Sequence, residues 1–166
     1  RSKELGMLCF STPFDETAVD FLEELNVPAY KIASFENIHL PLIKKVAQTG
    51  KPVIISTGLA TKTEIEEAVQ ALKIGGCSQF ALLKCTSAYP ASPENSNILT
   101  IPELRKNFGC EVGLSDHTMG IGVALAAISH GATIIEKHFT LDRNDGGVDS
   151  SFSIEPKEMK ILVDES

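Results

Sequence analysis

The sequence lacks any C-x-x-C pair, although it contains four cysteines, Cys9, Cys77, Cys85 and Cys110. This absence argues against a redox or zinc motif built on that spacing. Cys9 and Cys85 lie within apolar runs typical of strands, where a free thiol behaves as a small hydrophobic side chain. We therefore expect unpaired cysteines and a reducing compartment, the cytoplasm.

Long apolar runs are also missing. No segment approaches the roughly 18 continuous apolar residues of a membrane span, and no charged-then-apolar signal segment opens the chain. Acidic residues outnumber basic ones, 22 to 15, which gives a net charge of −7. Because such a surface repels nucleic acid and anionic membranes, we expect a soluble protein that holds any anionic substrate through local groups.

Nucleotide-binding glycine motifs are absent as well. No G-x-G-x-x-G follows the first predicted strand, and no G-x-x-x-x-G-K-[ST] occurs anywhere. A doubly wound open sheet of parallel strands is the alternative fold. Its usual phosphate-binding fingerprint, however, is not there.

What the sequence does contain is a recurring unit of strand, polar tip and helix. Strands are predicted at residues 6–10, 29–33, 52–55, 80–84, 111–114 and 132–135. The polar tips recur every 22 to 30 residues, at Ser11, Ser34, Ser56, Thr86, Ser115 and His138. Between them, helices are predicted, including one that Asp15 caps and one over 63–72 whose TEIE start resembles a capping box.

This spacing is that of a TIM (β/α)8 barrel, which takes about 250 residues for its eight units. The 166 residues, 43% of them hydrophobic, fit a single domain over residues 1–166 that holds about six of the eight units. Residues 1–5 resemble the last turn of a helix whose beginning lies outside the sequence. We therefore expect an incomplete barrel, the carboxyl-terminal three-quarters of the fold.

Two histidines, His117 and His138, each stand just beyond the carboxyl end of consecutive predicted strands. Parallel neighbours lie close enough for both imidazoles to meet one metal ion, which requires that their ring nitrogens can approach within about 5 Å. The simpler alternative is one hydrogen-bonded polar histidine at each strand end.

Six sequence blocks carry a family resemblance. They are FSTPF at Phe10, AYKIASFE at Ala29, KPVIISTG at Lys51, KCTSAYP at Lys84, GLSDH at Gly113 and EKHF at Glu136. In this order and spacing, over residues 6–158, they resemble the sialic acid synthase family. Its members are nonulosonic acid synthases, which condense phosphoenolpyruvate with an N-acetylated hexosamine and release phosphate.

The resemblance implies a larger parent protein. The family's amino-terminal strands and its small carboxyl-terminal antifreeze-like domain are absent from this sequence, and that domain covers the partner's active site in a homodimer. We therefore expect that the fragment alone is inactive.

The resemblance further implies a phosphoenolpyruvate site. The matching positions are Thr12, Lys31, Ser34, Ser56, Ser87, Tyr89 and Ser115. Hydroxyl groups and an ammonium suit the phosphate and carboxylate, although an isolated serine at a strand end is more often a helix N-cap. Ser87 departs from the asparagine that is common in sialic acid synthases. Lys31, within apolar AYKIA, needs a buried anionic partner or ligand.

The same resemblance implies a divalent-metal site. His117 and His138 match the family's ligands, with Mn²⁺ as the expected ion and Mg²⁺ or Co²⁺ as alternatives; imidazole also suits zinc or iron. The ion would polarise the sugar aldehyde as a Lewis acid while carbon 3 of phosphoenolpyruvate attacks it. Asp116 and Glu136 are interpreted as groups that orient the two histidines.

The residues that match catalytic positions are Glu36, Lys31 and Asp149. Glu36 matches a glutamate beside the reacting carbons, where a carboxylate stabilises developing positive charge or helps to deliver water. Asp149 matches an aspartate near the sugar, but its loop could equally be a solvated turn.

The loop over residues 147–153 suggests the subfamily. Its sequence, GVDSSFS, together with Phe35, resembles pseudaminic acid synthases. The alternatives are an N-acetylneuraminate or legionaminate synthase, a phosphoenolpyruvate-dependent aldol enzyme of another sugar class, and an inactive metal- and phosphate-binding fragment. The SDH and EKHF blocks argue against another sugar class.

Overall fold

The structure, a computed structural model, describes residues 1–166 and divides into two compact units, Arg1–Ala81 and Leu82–Ser166. The strands are β1 (Tyr30–Ile32), β2 (Val53–Ser56), β3 (Phe80–Cys85), β4 (Glu111–Asp116) and β5 (Ile135–Lys137). The helices are α1 (Glu16–Glu24), α2 (Leu40–Ala47), α3 (Lys62–Ile74), α4 (Thr100–Phe108), α5 (Gly122–Ser129) and α6 (Pro156–Glu165). The sheet order is β1-β2-β3-β4-β5, so strands and helices alternate as a (β/α) fold requires.

In the first unit, β1 and β2 pair in parallel, with Lys31 opposite Ile54. Its core contains apolar side chains from both strands and from the three helices α1, α2 and α3. Asp15 caps α1 by accepting a hydrogen bond from the Ala18 amide, which satisfies one of the free donors of the first turn. The largest fully buried side chains of this unit are Tyr30, Ile32, Leu42, Ile43, Ile55 and Leu72.

In the second unit, β4 and β5 pair in parallel, with Ser115 opposite Glu136 and Asp116 opposite Lys137. Small residues of α5 pack closely in this unit, since Ala124 and Ala127 are fully buried. Ala124 belongs to an apolar cluster with Ile154 and Leu162, which joins α5 to α6. This packing anchors the segments on either side of β5.

The predicted strand at residues 6–10 is wrong. Only one bridge forms there, between Ser11 and Tyr30, and Met7, Leu8 and Phe10 are exposed. A strand needs a continuous ladder of backbone partners, and this segment has one contact of that kind, from the Lys31 amide to the Ser11 carbonyl. The structure therefore contains five strands instead of the expected six.

The last strand lies three residues later than predicted, at Ile135–Lys137 instead of 132–135. Gly131 has a φ of +90°, which favours glycine, and residues 132–134 after it are not part of a regular strand, although the Thr133 amide already bonds the Val112 carbonyl of β4. β4 also extends beyond its predicted end, to Asp116. Consequently four polar residues that lie beyond the predicted strand ends belong to paired strands: Ser115, Asp116, Glu136 and Lys137.

The predicted capping box at the start of α3 lies two residues earlier than the TEIE run suggested. Thr61 accepts from the Glu64 amide, and the Glu64 carboxylate accepts from the Thr61 amide. This reciprocal pair satisfies two donors at the start of α3. No helix of the chain has both the length and the apolar character to cross a membrane.

The tightest backbone approach in the second unit occurs at Gly113 of β4. A Cβ atom there would lie 2.2 Å from the Ile134 carbonyl oxygen and 2.8 Å from the Leu83 side chain. That oxygen cannot move freely, because it accepts the Leu114 amide at 2.8 Å. Position 113 therefore requires glycine because there is no room for a Cβ atom, and not because of its backbone conformation.

We predict that Gly113→Ala lowers the free energy of unfolding by about 1–3 kcal/mol or more, the usual cost of overpacking. Gly122→Ala is the matched control, because a Cβ at Gly122 meets nothing within 4 Å and alanine favours a helix over glycine. Urea titration of both variants measures the difference. Equal stability of the two would contradict the described contact between β4 and Ile134.

Candidate active site

His117 and His138 meet at the ends of β4 and β5. Their ring centroids lie 5.2 Å apart, with the ring planes inclined by 62°. His117 is buried and His138 is half-buried. Parallel pairing brings the two strand ends side by side, so the predicted proximity of the imidazoles is confirmed.

His117 is held through one ring nitrogen. Its Nδ1 lies 2.9 Å from the Thr86 carbonyl oxygen, an acceptor only, so this nitrogen carries the proton and Nε2 keeps its lone pair. Burial lowers the pKa of His117, but contacts with Cys85 and with the Thr86 carbonyl outweigh it, so the pKa is raised. The ring thus has a set tautomer and one nitrogen available for a ligand.

The pKa of His138 is shifted in the opposite direction. Burial, reinforced by the nearby His117 ring, lowers its pKa, although the Asp149 carboxylate opposes the shift. Its Nδ1 lies 3.5 Å from Asp149 Oδ2. A neutral imidazole beside a carboxylate is the form that binds a metal ion.

Two aromatic side chains enclose the histidine pair. The Tyr89 ring lies 4.2 Å from the His117 ring and 6.0 Å from the His138 ring. The Phe152 ring lies 5.2 Å from His138 and 6.0 Å from Tyr89, and Phe152 is only 5% exposed. Phe152 was not among the predicted site residues. The one feature of the sequence that could have indicated it is the presence of a large apolar residue in a polar loop.

The residues present fit a divalent ion with an open coordination sphere. The donors are two neighbouring imidazoles with the Asp149 carboxylate beside one of them. No group of three histidine, cysteine, aspartate or glutamate side chains converges closely enough to form a closed metal site. Substrate and water would therefore fill most positions around an ion, as at catalytic sites.

The loop that carries Asp149 is an ordered structure. Arg143 binds the carboxylates of Glu155 and Glu158, and its Nε donates to the Ser153 carbonyl. Ser153 Oγ in turn donates to the Asp149 carbonyl at 2.7 Å. These contacts fix the backbone at the two ends of the loop, while residues 144–148 between them are exposed.

Asp116 and Glu136, which are expected to orient the histidines, both make direct contacts within the strand pair. Asp116 binds Lys137 and Thr118, and Glu136 accepts the Ser115 hydroxyl at 2.6 Å. The charge of Glu136 also acts on both histidines, where it opposes the lowering of their pKa values by burial.

Two other predicted binding residues lie beyond β3. Ser87 is half-buried, with its hydroxyl 3.9 Å from Cys85 Sγ. Tyr89 is exposed on one side while its ring packs on His117. Burial raises the pKa of its phenol, so the hydroxyl remains a neutral hydrogen-bond donor.

In the first unit, two predicted substrate-binding residues come together. Lys31 is buried, and its Nζ donates to Ser56 Oγ at 2.8 Å and to the Ile32 carbonyl at 3.3 Å. Asn37, which the sequence analysis missed, donates to the Ser56 and Thr57 carbonyls. It fixes the end of β2, but a lone asparagine after a strand carries no distinctive signal.

Glu36 of the first unit carries a buried carboxylate oxygen, Oε2, that has no hydrogen-bond partner. Buried acceptors are nearly always satisfied, so this atom calls for a water or ligand. Thr12 and Ser34 are half-buried at the tips where they were predicted. Among the residues of this unit that are predicted to bind phosphoenolpyruvate, Lys31 and Ser56 are in direct contact.

Comparison with known proteins gives consistent results. The family model described as "NeuB family" matches residues 1–166. The chain is 45% identical to the N,N'-diacetyllegionaminic acid synthase of Campylobacter jejuni, over 97% of this chain and 49% of that protein. It is 43% identical to the pseudaminic acid synthase of Helicobacter pylori, over 98% of this chain and 48% of that protein.

The chain is also similar to a solved structure. The crystal structure of the N-acetylneuraminic acid (sialic acid) synthetase from Leptospira borgpetersenii superposes with a TM-score of 0.96 at 40% identity. The match covers 99% of this chain and 57% of that one. The chain thus spans about half the length of the relatives it matches.

Phe152 offers a test of how the loop is anchored. We predict that Phe152→Ala lowers the free energy of unfolding by about 3–5 kcal/mol, because it removes a buried ring. Val148 belongs to the same loop but is fully exposed, so Val148→Ala should stay within about 0.5 kcal/mol. Urea unfolding distinguishes them, and a similar small effect of both would mean that the Phe152 ring does not anchor the loop.

Proposed function

Because the chain belongs to the NeuB family, we propose that its parent protein is a nonulosonic acid synthase of the pseudaminic acid type. It condenses phosphoenolpyruvate with an N-acetylated amino sugar and releases phosphate. The observation that carries this proposal is the pair of imidazoles at adjacent strand ends, enclosed by Tyr89 and Phe152.

Phosphoenolpyruvate would be held by hydroxyl and ammonium donors. The contact between Lys31 and Ser56 offers a positive charge and a hydroxyl at one strand edge, which suits a phosphate or carboxylate. Thr12, Ser34, Ser87, Tyr89 and Ser115 would supply further contacts. Because the chain carries a net charge of −7, such donors have to offset the general repulsion of an anionic substrate.

His117 and His138 would hold the divalent ion, for which we propose Mn²⁺, with Mg²⁺ and Co²⁺ as alternatives. A bound ion of this kind supplies Lewis-acid polarisation of the sugar aldehyde. The Thr86 carbonyl fixes the His117 tautomer. Asp149 stands beside His138, at the position where it would also contact the sugar.

Glu36 would act at the reacting carbons. When carbon 3 of phosphoenolpyruvate forms the new bond to the aldehyde carbon, positive charge develops at carbon 2. A carboxylate oxygen without a partner is available to stabilise that charge and to direct water to carbon 2. The aldehyde oxygen, which becomes an alkoxide as the new bond forms, takes a proton from the water that adds at carbon 2. The new hydroxyl at carbon 2 then loses its proton as the bond from carbon 2 to the phosphate oxygen breaks, which gives the 2-keto acid and free phosphate.

The sugar remains a choice among three stereochemical classes. The GVDSSFS loop favours the pseudaminic type, while an N-acetylneuraminate or legionaminate synthase is the alternative, since the identities to the legionaminic and pseudaminic acid synthases are nearly equal. We further propose a cytoplasmic homodimer for the parent protein. Because the chain spans about half of these relatives, the second candidate is that the 166 residues alone bind metal and phosphate without turnover.

The function is tested by assaying the parent protein for phosphate release from phosphoenolpyruvate with each candidate hexosamine. We predict release with one of the sugars, and a 10²–10⁴-fold lower kcat for Glu36→Gln, the range expected when an acid–base group is lost. Glu66→Gln, an exposed change on α3, is the control. No release with any sugar, or an undiminished kcat in Glu36→Gln, would contradict the proposal.

Removal of the ion provides a separate test. Chelation should abolish phosphate release, and Mn²⁺ should restore it in the unchanged parent protein. In His117→Gln, restoration should need far more Mn²⁺, because one of two imidazole ligands is gone. His130→Gln, an exposed histidine at the end of α5, should behave like the unchanged protein. Full activity after chelation would exclude a metal role for this pair.

A further inference from the structure

A buried ion pair lies directly behind the two histidines. Lys137 Nζ is 2.8 Å from Asp116 Oδ2, and the side chains are 2% and 1% exposed. These residues face each other in the β4–β5 register, and each immediately precedes a histidine, His117 or His138.

Both charged groups are also tied to one further residue, Thr118. Asp116 Oδ1 accepts the Thr118 amide at 2.8 Å and the Thr118 hydroxyl at 2.7 Å. Lys137 Nζ donates to the Thr118 carbonyl at 2.6 Å. Lys137, the residue that precedes His138, therefore bonds the Asp116 side chain on one side of His117 and the Thr118 backbone on the other, which closes a ring of contacts.

Stability is a weak explanation for such a pair. Removing two charges from water is costly, and well-packed neutral residues in their place are often as stable or more so. What a buried pair supplies is direction and distance, because its two charges must meet at hydrogen-bond length. Here the pair links the last residues of β4 and β5, immediately before the two histidines.

We propose that Asp116 and Lys137 are positioning residues, which fix the separation of His117 and His138 and thereby set the affinity of the histidine pair for a divalent ion. This inference rests on the metal role proposed above for these histidines. Asp116 and Lys137 would not themselves touch the ion, because their charged groups bond each other and Thr118.

The test compares a neutral pair with the ionic one in the parent protein. In Asp116→Asn with Lys137→Met, the amide oxygen still accepts from Thr118, but the charge contact is lost. We expect metal-free melting close to that of the unchanged protein, and a Mn²⁺ Kd weakened by about 10–100-fold, the usual effect of losing a group that supports a metal ligand. Electron paramagnetic resonance of free Mn²⁺ measures the Kd.

Two further variants separate position from charge. Lys137→Arg keeps the charge and the contact, and should retain the Mn²⁺ affinity of the unchanged protein. Asp116→Glu keeps the charge but adds one methylene, so it should move the strand ends and weaken Mn²⁺ binding. If the neutral pair does not fold, Asp116→Glu decides the question alone.

The outcomes distinguish this inference from the proposed function. If a folded neutral pair or Asp116→Glu binds Mn²⁺ as tightly as the unchanged protein, the ion pair is only structural and the inference is overturned, while the metal site stands. If the unchanged protein and His117→Gln bind Mn²⁺ equally weakly, the metal role itself fails and the inference falls with it.

Discussion

The parallel register of β4 and β5 is the constraint on which the second unit depends. Ser115 faces Glu136 and Asp116 faces Lys137, and each facing pair is joined by a side-chain contact. A slip of one residue would turn every side chain to the other face, and it would leave buried charges unpaired. The two imidazoles lie close together because this register is fixed at Asp116 and Lys137, the residues immediately before them.

The sequence predicted the elements better than their ends. The alternation of strand, tip and helix located five of the six proposed strands and the helices between them, because apolar periodicity reflects local burial. The segment 6–10 has the same composition as a strand but lacks the ladder that would make it one. The start of β5 differs from the prediction because residues 132–134, although β-prone, bond to β4 only at single points, such as Thr133 to Val112, and the regular ladder begins at Ile135.

The site could be predicted wherever a residue stands at a strand end with a distinctive side chain. His117 and His138 satisfied that condition, and so did Lys31, whose position in an apolar run demanded a partner. Phe152, Asn37 and Lys137 did not, because their importance comes from contacts with residues far away in the sequence. A local pattern carries no record of such contacts.

Polar side chains whose hydrogen bonds are all satisfied within the protein support the structure, whereas a polar side chain without a partner can bind a substrate. Asp116 and Lys137 each have several partners and are sealed from solvent, so neither has capacity left for a substrate. Glu36 retains a buried oxygen without a hydrogen-bond partner. Leaving such a group unsatisfied costs stability, a cost that a fold retains where a ligand is to complete the contacts. The unsatisfied Glu36 oxygen, more than the acidic residues adjacent in sequence to the histidines, therefore marks where chemistry is expected.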